Sequence, residues 1–131
     1  MRIARELLDE MIAHAREEAP NECCGMVASD DGRAVKVHRA VNAAASPLRY
    51  EIDGQDQYRI QTAIDDAGWD LGAIYHSHTR SAPYPSQTDI NLAFYPDALY
   101  LIVGLAEEEP DVRAFTINGG QVKDAELTVE G

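Results

Sequence analysis

The amino-acid sequence predicts an α/β fold, a central mixed β-sheet flanked by helices, formed by a single domain over residues 1–131. Segments with helical spacing of apolar residues alternate with short apolar runs, which is typical of layered α/β folds. Residues 97–105 are nearly all apolar, as expected for a strand buried on both faces. The composition, 45% hydrophobic and 26% charged residues with no internal repeat or linker, suits one packed core.

The first part of the chain predicts one helix and one hairpin. Apolar residues recur at helical spacing over residues 3–18, charged side chains occupy the opposite face, and Pro20 closes the segment. Residues 23–28 and 34–41 have the composition of strands on either side of the turn SDDGR, where Gly32 supplies a permissive backbone. The pattern therefore indicates an amphipathic helix followed by a β-hairpin.

The rest of the chain alternates strands and helices. After the loop NAAASP, we expect a short extension at 50–52 and a helix from 53 or 54 to 67, which Gly68 ends. Residues 71–78 form an apolar strand, and the two prolines of TRSAPYP prevent its continuation. The remaining pattern predicts a helix over 86–96 and strands over 97–105, 112–117 and 121–129. The last two strands lie on either side of the turn NGG.

The net charge of −12 excludes two broad classes of partner. So acidic a surface repels the phosphates of nucleic acids and anionic lipid headgroups at neutral pH. The longest apolar run, residues 98–106, is too short to cross a bilayer core of about 30 Å as a helix. With no signal peptide visible, we expect a cytoplasmic protein. Cys23 and Cys24 have no other cysteine to pair with, and we expect both to be small buried residues.

Two histidines end the strand that precedes TRSAPYP, and their spacing is compatible with a metal site. Alternate side chains of a strand point to the same side, so His76 and His78 share a face while Ser77 points to the other. A catalytic zinc ion typically takes three protein ligands and leaves the fourth position for water. Asp89, in the first turn of the predicted helix that follows, is the candidate for the third ligand.

Each part of this pattern also has a structural explanation. Ser86 and Asp89, three residues apart before an apolar run, match a helix capping box, in which the serine accepts a backbone N–H. A lone pair of histidines two residues apart is a weak metal signal. Glu22, just before a predicted strand, favours the metal site because a hydrolytic zinc centre needs an acid as proton carrier. The other two histidines, His14 and His38, lack partners at ligand spacing and are expected to be structural or solvated.

Taken together, Glu22, the histidine pair and, after seven intervening residues, Ser86 and Asp89 resemble the signature of the JAMM (MPN+) metalloproteases, with every spacing matched. NECCGM is similar to the family's glutamate strand, GAIYHSH to its histidine strand and SQTDINLA to its serine–aspartate helix. HSHT, YPSQTD and PDALYLIV are most similar to the short bacterial Mec-type enzymes. Many eukaryotic JAMM deubiquitinases have proline after the second histidine, so Thr79 in that position favours the bacterial branch.

The resemblance implies a role for each residue of the signature. His76, His78 and Asp89 would hold one Zn²⁺ per chain. Glu22 would be the proton carrier, and Ser86 would donate to the developing oxyanion. The implied reaction is hydrolysis of the peptide or isopeptide bond after the C-terminal glycine of a ubiquitin-like sulfur carrier, releasing cysteine for cysteine biosynthesis. The expected partner is therefore this carrier or its conjugate, and a homodimer is left open.

Three rival functions share parts of this pattern. A non-catalytic MPN-type scaffold typically lacks one or more metal ligands, whereas this chain keeps all of them. A zinc nucleoside deaminase needs the patterns H-x-E and P-C-x-x-C, and neither is present. A general isopeptidase that removes ubiquitin-like modifiers stays open, because the sequence does not identify the carrier or the bond.

Overall fold

One eight-stranded sheet and three helices make up the fold in a computed structural model that describes residues 1–131. The strands are β1 (Arg2–Ala4), β2 (Cys24–Asp30), β3 (Arg33–Ala40), β4 (Asp70–His78), β5 (Leu99–Gly104), β6 (Asp111–Asn118), β7 (Gln121–Ala125) and β8 (Thr128–Glu130). The helices are α1 (Arg5–Glu18), α2 (Gly54–Asp66) and α3 (Gln87–Asn91).

The sheet is mixed, which confirms the predicted fold class. Its strand order is β7-β6-β5-β4-β2-β3-β1-β8. Neighbouring strands are antiparallel except at three places, where β4 pairs with β5 and β1 pairs with β3 and β8. β4 therefore lies between β2 and β5 in the middle of the sheet, and it is buried from Ala73 to its last residue, His78.

The two long helices cover opposite faces of the sheet. α1 packs Met11 into a core that contains Val27 of β2, whereas α2 packs Ile60 into a second core that contains Met26. Neighbouring residues of β2 enter different cores because successive side chains of a strand point to opposite faces. Burying each of these side chains contributes about 1.5–3 kcal/mol to folding. None of the three helices has the length and apolar character that crossing a bilayer requires.

The amino-terminal prediction was wrong at its start, because the chain opens with a strand and α1 begins only at Arg5. In β1, Ile3 is fully buried and lies opposite Val129 of β8. The predicted last strand, 121–129, was also wrong, since it is two strands at opposite edges of the sheet. Both errors have one cause, a pairing between the ends of the chain that no local pattern encodes.

The helix predicted over residues 86–96 is much shorter in the structure, where α3 ends at Asn91. Beyond it, the N–H of Tyr95 donates to the hydroxyl of Tyr100 at 3.1 Å instead of continuing a helical ladder. The extension predicted at 50–52 is reduced to one isolated bridge, between Asn42 and Ile52. α2 agrees with its prediction.

Candidate metal centre

The carboxyl end of β4 brings two imidazoles together. His76 and His78 share one face of the strand, as the alternation predicts, and both side chains are buried. Their Nε2 atoms lie 3.2 Å apart. Cys24 of β2 pairs opposite His76, and Gly104 of β5 pairs opposite His78. The sheet on both sides therefore fixes the backbone that carries the two rings.

Asp89 reaches the histidines from the first turn of α3. Its Oδ2 atom lies 3.1 Å from the Nε2 atom of each histidine. The same oxygen accepts the backbone N–H of Ser86 at 2.9 Å, and Ser86 Oγ accepts the backbone N–H of Asp89 at 3.1 Å. Ser86 and Asp89 thus form the reciprocal capping box that their spacing allows. The capping geometry and the approach to the histidines coexist, and neither excludes the other.

A hydrogen bond orients the ring of His78, whereas Nδ1 of His76 is buried without a hydrogen-bond partner. His78 Nδ1 lies 2.8 Å from the carbonyl oxygen of Ala82, which can only accept, so Nδ1 carries the hydrogen. In the neutral ring, Nε2 then presents a lone pair towards the Asp89 carboxylate. Burial by itself would raise the pKa of Asp89, but hydrogen bonds from the imidazoles, formed when Nε2 carries a hydrogen, hold that pKa well below its usual range. Ring nitrogens and an ionised carboxylate that converge in a buried place are stabilised by a proton or a metal cation between them.

The three donor atoms have the spacing that a zinc ion requires. With ligand distances of about 2.0–2.1 Å and tetrahedral angles, neighbouring ligand atoms of zinc are about 3.3 Å apart. The observed separations among His76 Nε2, His78 Nε2 and Asp89 Oδ2 are 3.2, 3.1 and 3.1 Å. Two imidazoles and one carboxylate form a three-ligand donor set typical of catalytic zinc. The residues therefore fit the ion.

Glu22 completes the cluster from the segment before β2. Single ligand atoms of Glu22, His76, His78 and Asp89 all lie within 4.8 Å of one another. Glu22 is only 4% exposed, and its Oε1 atom has no hydrogen-bond partner. Burial raises the pKa of Glu22 to about 7, against a lowering by His78 and with a further raising by Asp89. A carboxyl group in this state can take up and release a proton near neutral pH.

Tyr50, which the sequence analysis did not single out, forms a wall of the site. Its ring stacks on that of His76, with centroids 4.3 Å apart and planes inclined by 20°. Tyr50 also lines a cavity of about 380 Å³ whose apolar walls include Phe94 and Tyr95. No spacing rule connects Tyr50 with a histidine so far along the chain, and only the folded loop brings them together.

The other cysteine and histidine side chains lie outside the cluster. Cys23 and Cys24 are fully buried, and burial raises the pKa of each thiol to about 12, so neither is a nucleophile at neutral pH. His14 is buried, with Nδ1 2.7 Å from the hydroxyl of Tyr75. His38 lies on β3 and takes no part in the cluster.

Comparisons with known proteins agree with this arrangement. The family described as prokaryotic homologs of the JAB domain matches residues 4–118, a range that includes every residue of the cluster. The chain is 36% identical over 130 residues to the CysO-cysteine peptidase of Mycobacterium tuberculosis, and the match covers 97% of this chain and 89% of that protein. It is 37% identical over 123 residues to the "Probable TtuB-protein conjugate cleaving protease" of Thermus thermophilus, covering 91% and 77%. The solution structure of DSY2949 from Desulfitobacterium hafniense, 31% identical, superposes with a TM-score of 0.87 over 99% of this chain and 93% of that one.

Proposed function

The chain belongs to the prokaryotic JAB family and is a JAMM-type peptidase, and we propose that it uses zinc to hydrolyse the bond after the C-terminal glycine of a ubiquitin-like sulfur carrier. The observation that supports this most strongly is the buried cluster, in which three donors at zinc spacing lie beside an unpartnered carboxylate. No single stretch of sequence contains this cluster, because its residues come from β4, α3 and the segment before β2.

We assign the metal to His76, His78 and Asp89, one ion per chain. When bound, zinc supplies a Lewis acid that polarises a carbonyl group and lowers the pKa of water towards neutrality. The ring orientation of His78 serves this assignment, since the bond from Nδ1 to Ala82 leaves Nε2 free to bind.

Glu22 is the proposed proton carrier. Burial raises the pKa of Glu22 to about 7, which suits a group that must first accept and then donate a proton near neutral pH. In the reaction, Glu22 takes a proton from the attacking water as the new C–O bond forms. It then passes this proton to the leaving nitrogen as the C–N bond breaks, and the carboxylate is regenerated.

Ser86 is the proposed donor to the oxyanion of the scissile carbonyl. Its Oγ atom already accepts a hydrogen bond from the backbone of Asp89, so the hydroxyl hydrogen remains available to donate. Such a donor acts on charge that appears only in the transition state. Its place on a capped helix beside Asp89 keeps it close to the metal ligands.

The substrate assignment follows the two relatives. One is named a CysO-cysteine peptidase, and we propose by analogy that this chain releases cysteine from the carrier's terminal glycine, as a step of cysteine biosynthesis. The other relative is named for the cleavage of TtuB–protein conjugates, which favours a second candidate activity, the removal of the carrier from protein amines.

Mass spectrometry can distinguish the two activities. The zinc-loaded enzyme would be incubated with a sulfur carrier that bears a C-terminal cysteine and, separately, with the same carrier joined to a lysine side chain. We expect release of free cysteine, with the carrier left ending in glycine. Faster cleavage of the isopeptide would reassign the chain as a general deconjugating enzyme, and a folded protein that takes up no zinc would indicate a non-catalytic scaffold.

A further inference from the structure

One side chain, that of Asn42, organises the loop that follows β3. Its Nδ2 atom donates to two carbonyl oxygens, those of Glu22 at 3.0 Å and Arg49 at 3.1 Å. Its Oδ1 atom accepts from two backbone N–H groups, those of Ala44 and Glu51, both at 3.0 Å. The two donor and two acceptor positions of the amide are therefore all used. Because the partners on each side are of one kind, the orientation of the amide is unambiguous.

The main chain of Glu22 is held by this loop and not by the sheet. β2 begins at Cys24, so Glu22 lies outside the strand. Its N–H donates to the carbonyl oxygen of Ser46 at 2.9 Å, and its own carbonyl oxygen accepts from Asn42. Oε1 of its side chain has no hydrogen-bond partner. Residues 42–51, here called the Asn42 loop, therefore bind both backbone polar groups of Glu22, while the next residue, Cys23, is bonded to Ser77 of β4.

The Asn42 loop also carries the ring that covers a proposed metal ligand. Tyr50 lies between Arg49 and Glu51, and the backbone of both neighbours is bonded to the Asn42 side chain. The Tyr50 ring stacks on His76. One carboxamide thus fixes the backbone on both sides of Tyr50 and the backbone of Glu22 at the same time.

We infer that Asn42 is a positioning residue for hydrolysis, because its carboxamide fastens the Asn42 loop to Glu22 and so holds the Glu22 carboxylate and the Tyr50 ring beside the metal cluster. The Asn42 side chain forms no hydrogen bond with a side chain of the cluster and acts through the main chain of Glu22. The inference rests on the proposed function, which assigns proton transfer to Glu22. Displacing a catalytic group by about 1 Å can lower the rate roughly 100-fold.

Three variants separate the parts of this clamp. Asn42→Asp keeps the acceptor for the two loop amides and loses both donors. Asn42→Ala loses all four bonds without adding a charge, so agreement between the two variants excludes an effect of charge alone. Ser46→Ala is the matched control, because it removes the hydroxyl that accepts from Leu48 at 3.1 Å but keeps the carbonyl that binds Glu22.

Amide hydrogen exchange, measured by NMR on the full-length variants, tests the clamp without substrate. We expect the Glu22 amide to lose protection in both Asn42 variants and to keep it in Ser46→Ala. The Ala44 and Glu51 amides should stay protected in Asn42→Asp, which shows that the loop itself is still folded. A Glu22 amide that stays fully protected in both Asn42 variants would overturn the inference.

Turnover of the carrier–cysteine conjugate tests the catalytic part. We expect kcat to fall roughly 10- to 100-fold in both Asn42 variants, with KM and zinc content little changed, and to be normal in Ser46→Ala. A wild-type kcat in an Asn42 variant whose Glu22 amide has lost protection would overturn the inference, as would an equal loss in Ser46→Ala. A wild-type enzyme that cleaves no conjugate would instead refute the proposed function, while the exchange measurement still decides whether the clamp exists.

Discussion

Substitution of Ser86 can separate the helix cap from the proposed oxyanion donor. The side-chain hydroxyl accepts the N–H of Asp89 at 3.1 Å, whereas the backbone N–H of Ser86 donates to Asp89 Oδ2 at 2.9 Å. Only the first bond is lost in Ser86→Ala. The backbone bond still orients the Asp89 carboxylate, so we expect the variant to bind zinc as the wild type does.

The two roles of Ser86 predict different rankings of two variants. Loss of the cap costs about 1 kcal/mol of stability with alanine but only a few tenths with glycine. Loss of an oxyanion donor costs about 2.7–4 kcal/mol of barrier, or roughly 10²- to 10³-fold in kcat, with either residue. We therefore expect Ser86→Ala to be less stable than Ser86→Gly, while both lose the same large factor in kcat.

The assay combines urea unfolding with turnover of the carrier–cysteine conjugate at 25 °C, where both variants remain folded. Zinc content is measured on the same samples, so that loss of the ion is not mistaken for loss of the hydroxyl. Wild-type kcat in folded, zinc-loaded Ser86→Ala and Ser86→Gly would refute the oxyanion role. A loss of kcat that follows stability, larger for alanine than for glycine, would assign the effect to the cap.

Three further predictions concern other residues. Glu22→Gln should retain zinc yet lose most hydrolysis, since an amide cannot carry the proton; loss of zinc would make Glu22 a ligand. Burial, and to a lesser extent the charge of Arg39, lower the pKa of His14, so the folded state keeps this ring neutral and its contribution to stability is lost as the pH falls below about 6.5. The stability difference between the wild type and His14→Gln, measured by urea unfolding in chelator, should therefore shrink from pH 7.5 to pH 5; a constant difference would contradict this. Gly25→Ala should destabilise the fold by about 1–3 kcal/mol in the same assay, because the added Cβ would overlap the Tyr75 ring and lie 2.5 Å from the carbonyl oxygen of His38; unchanged stability would show that the backbone yields.

The proximity of the two histidines and the capping box of Ser86 and Asp89 were predictable because each is encoded locally. Strand alternation alone places His76 and His78 on one face, and the spacing of Ser86 and Asp89 alone specifies a cap with an acid in its first turn. The proximity of these parts to Glu22 could be predicted only from the family resemblance, because nothing in the residues themselves indicates which acid lies near the end of the strand.

The rest of the site depends on contacts that no local pattern contains. Asn42 binds Glu22 and Arg49 through a side chain that reads in the sequence as an ordinary loop residue. Tyr50 stacks on His76 only in the folded loop. The same holds for β1, whose partner β8 lies at the other end of the chain. Pairings over such distances follow from the tertiary fold, which outweighs local propensity.

The double use of one Asp89 oxygen, as helix cap and as neighbour of both imidazoles, makes α3 dependent on the site it serves. A segment as short as Gln87–Asn91 has almost no helical stability of its own, because nucleation is costly and few bonds follow. We therefore expect the proposed ion, when bound, to stabilise this stretch of backbone as well. Stripping the ion should make this segment the first place that a protease cuts, so that inactive apoprotein is removed faster than loaded enzyme.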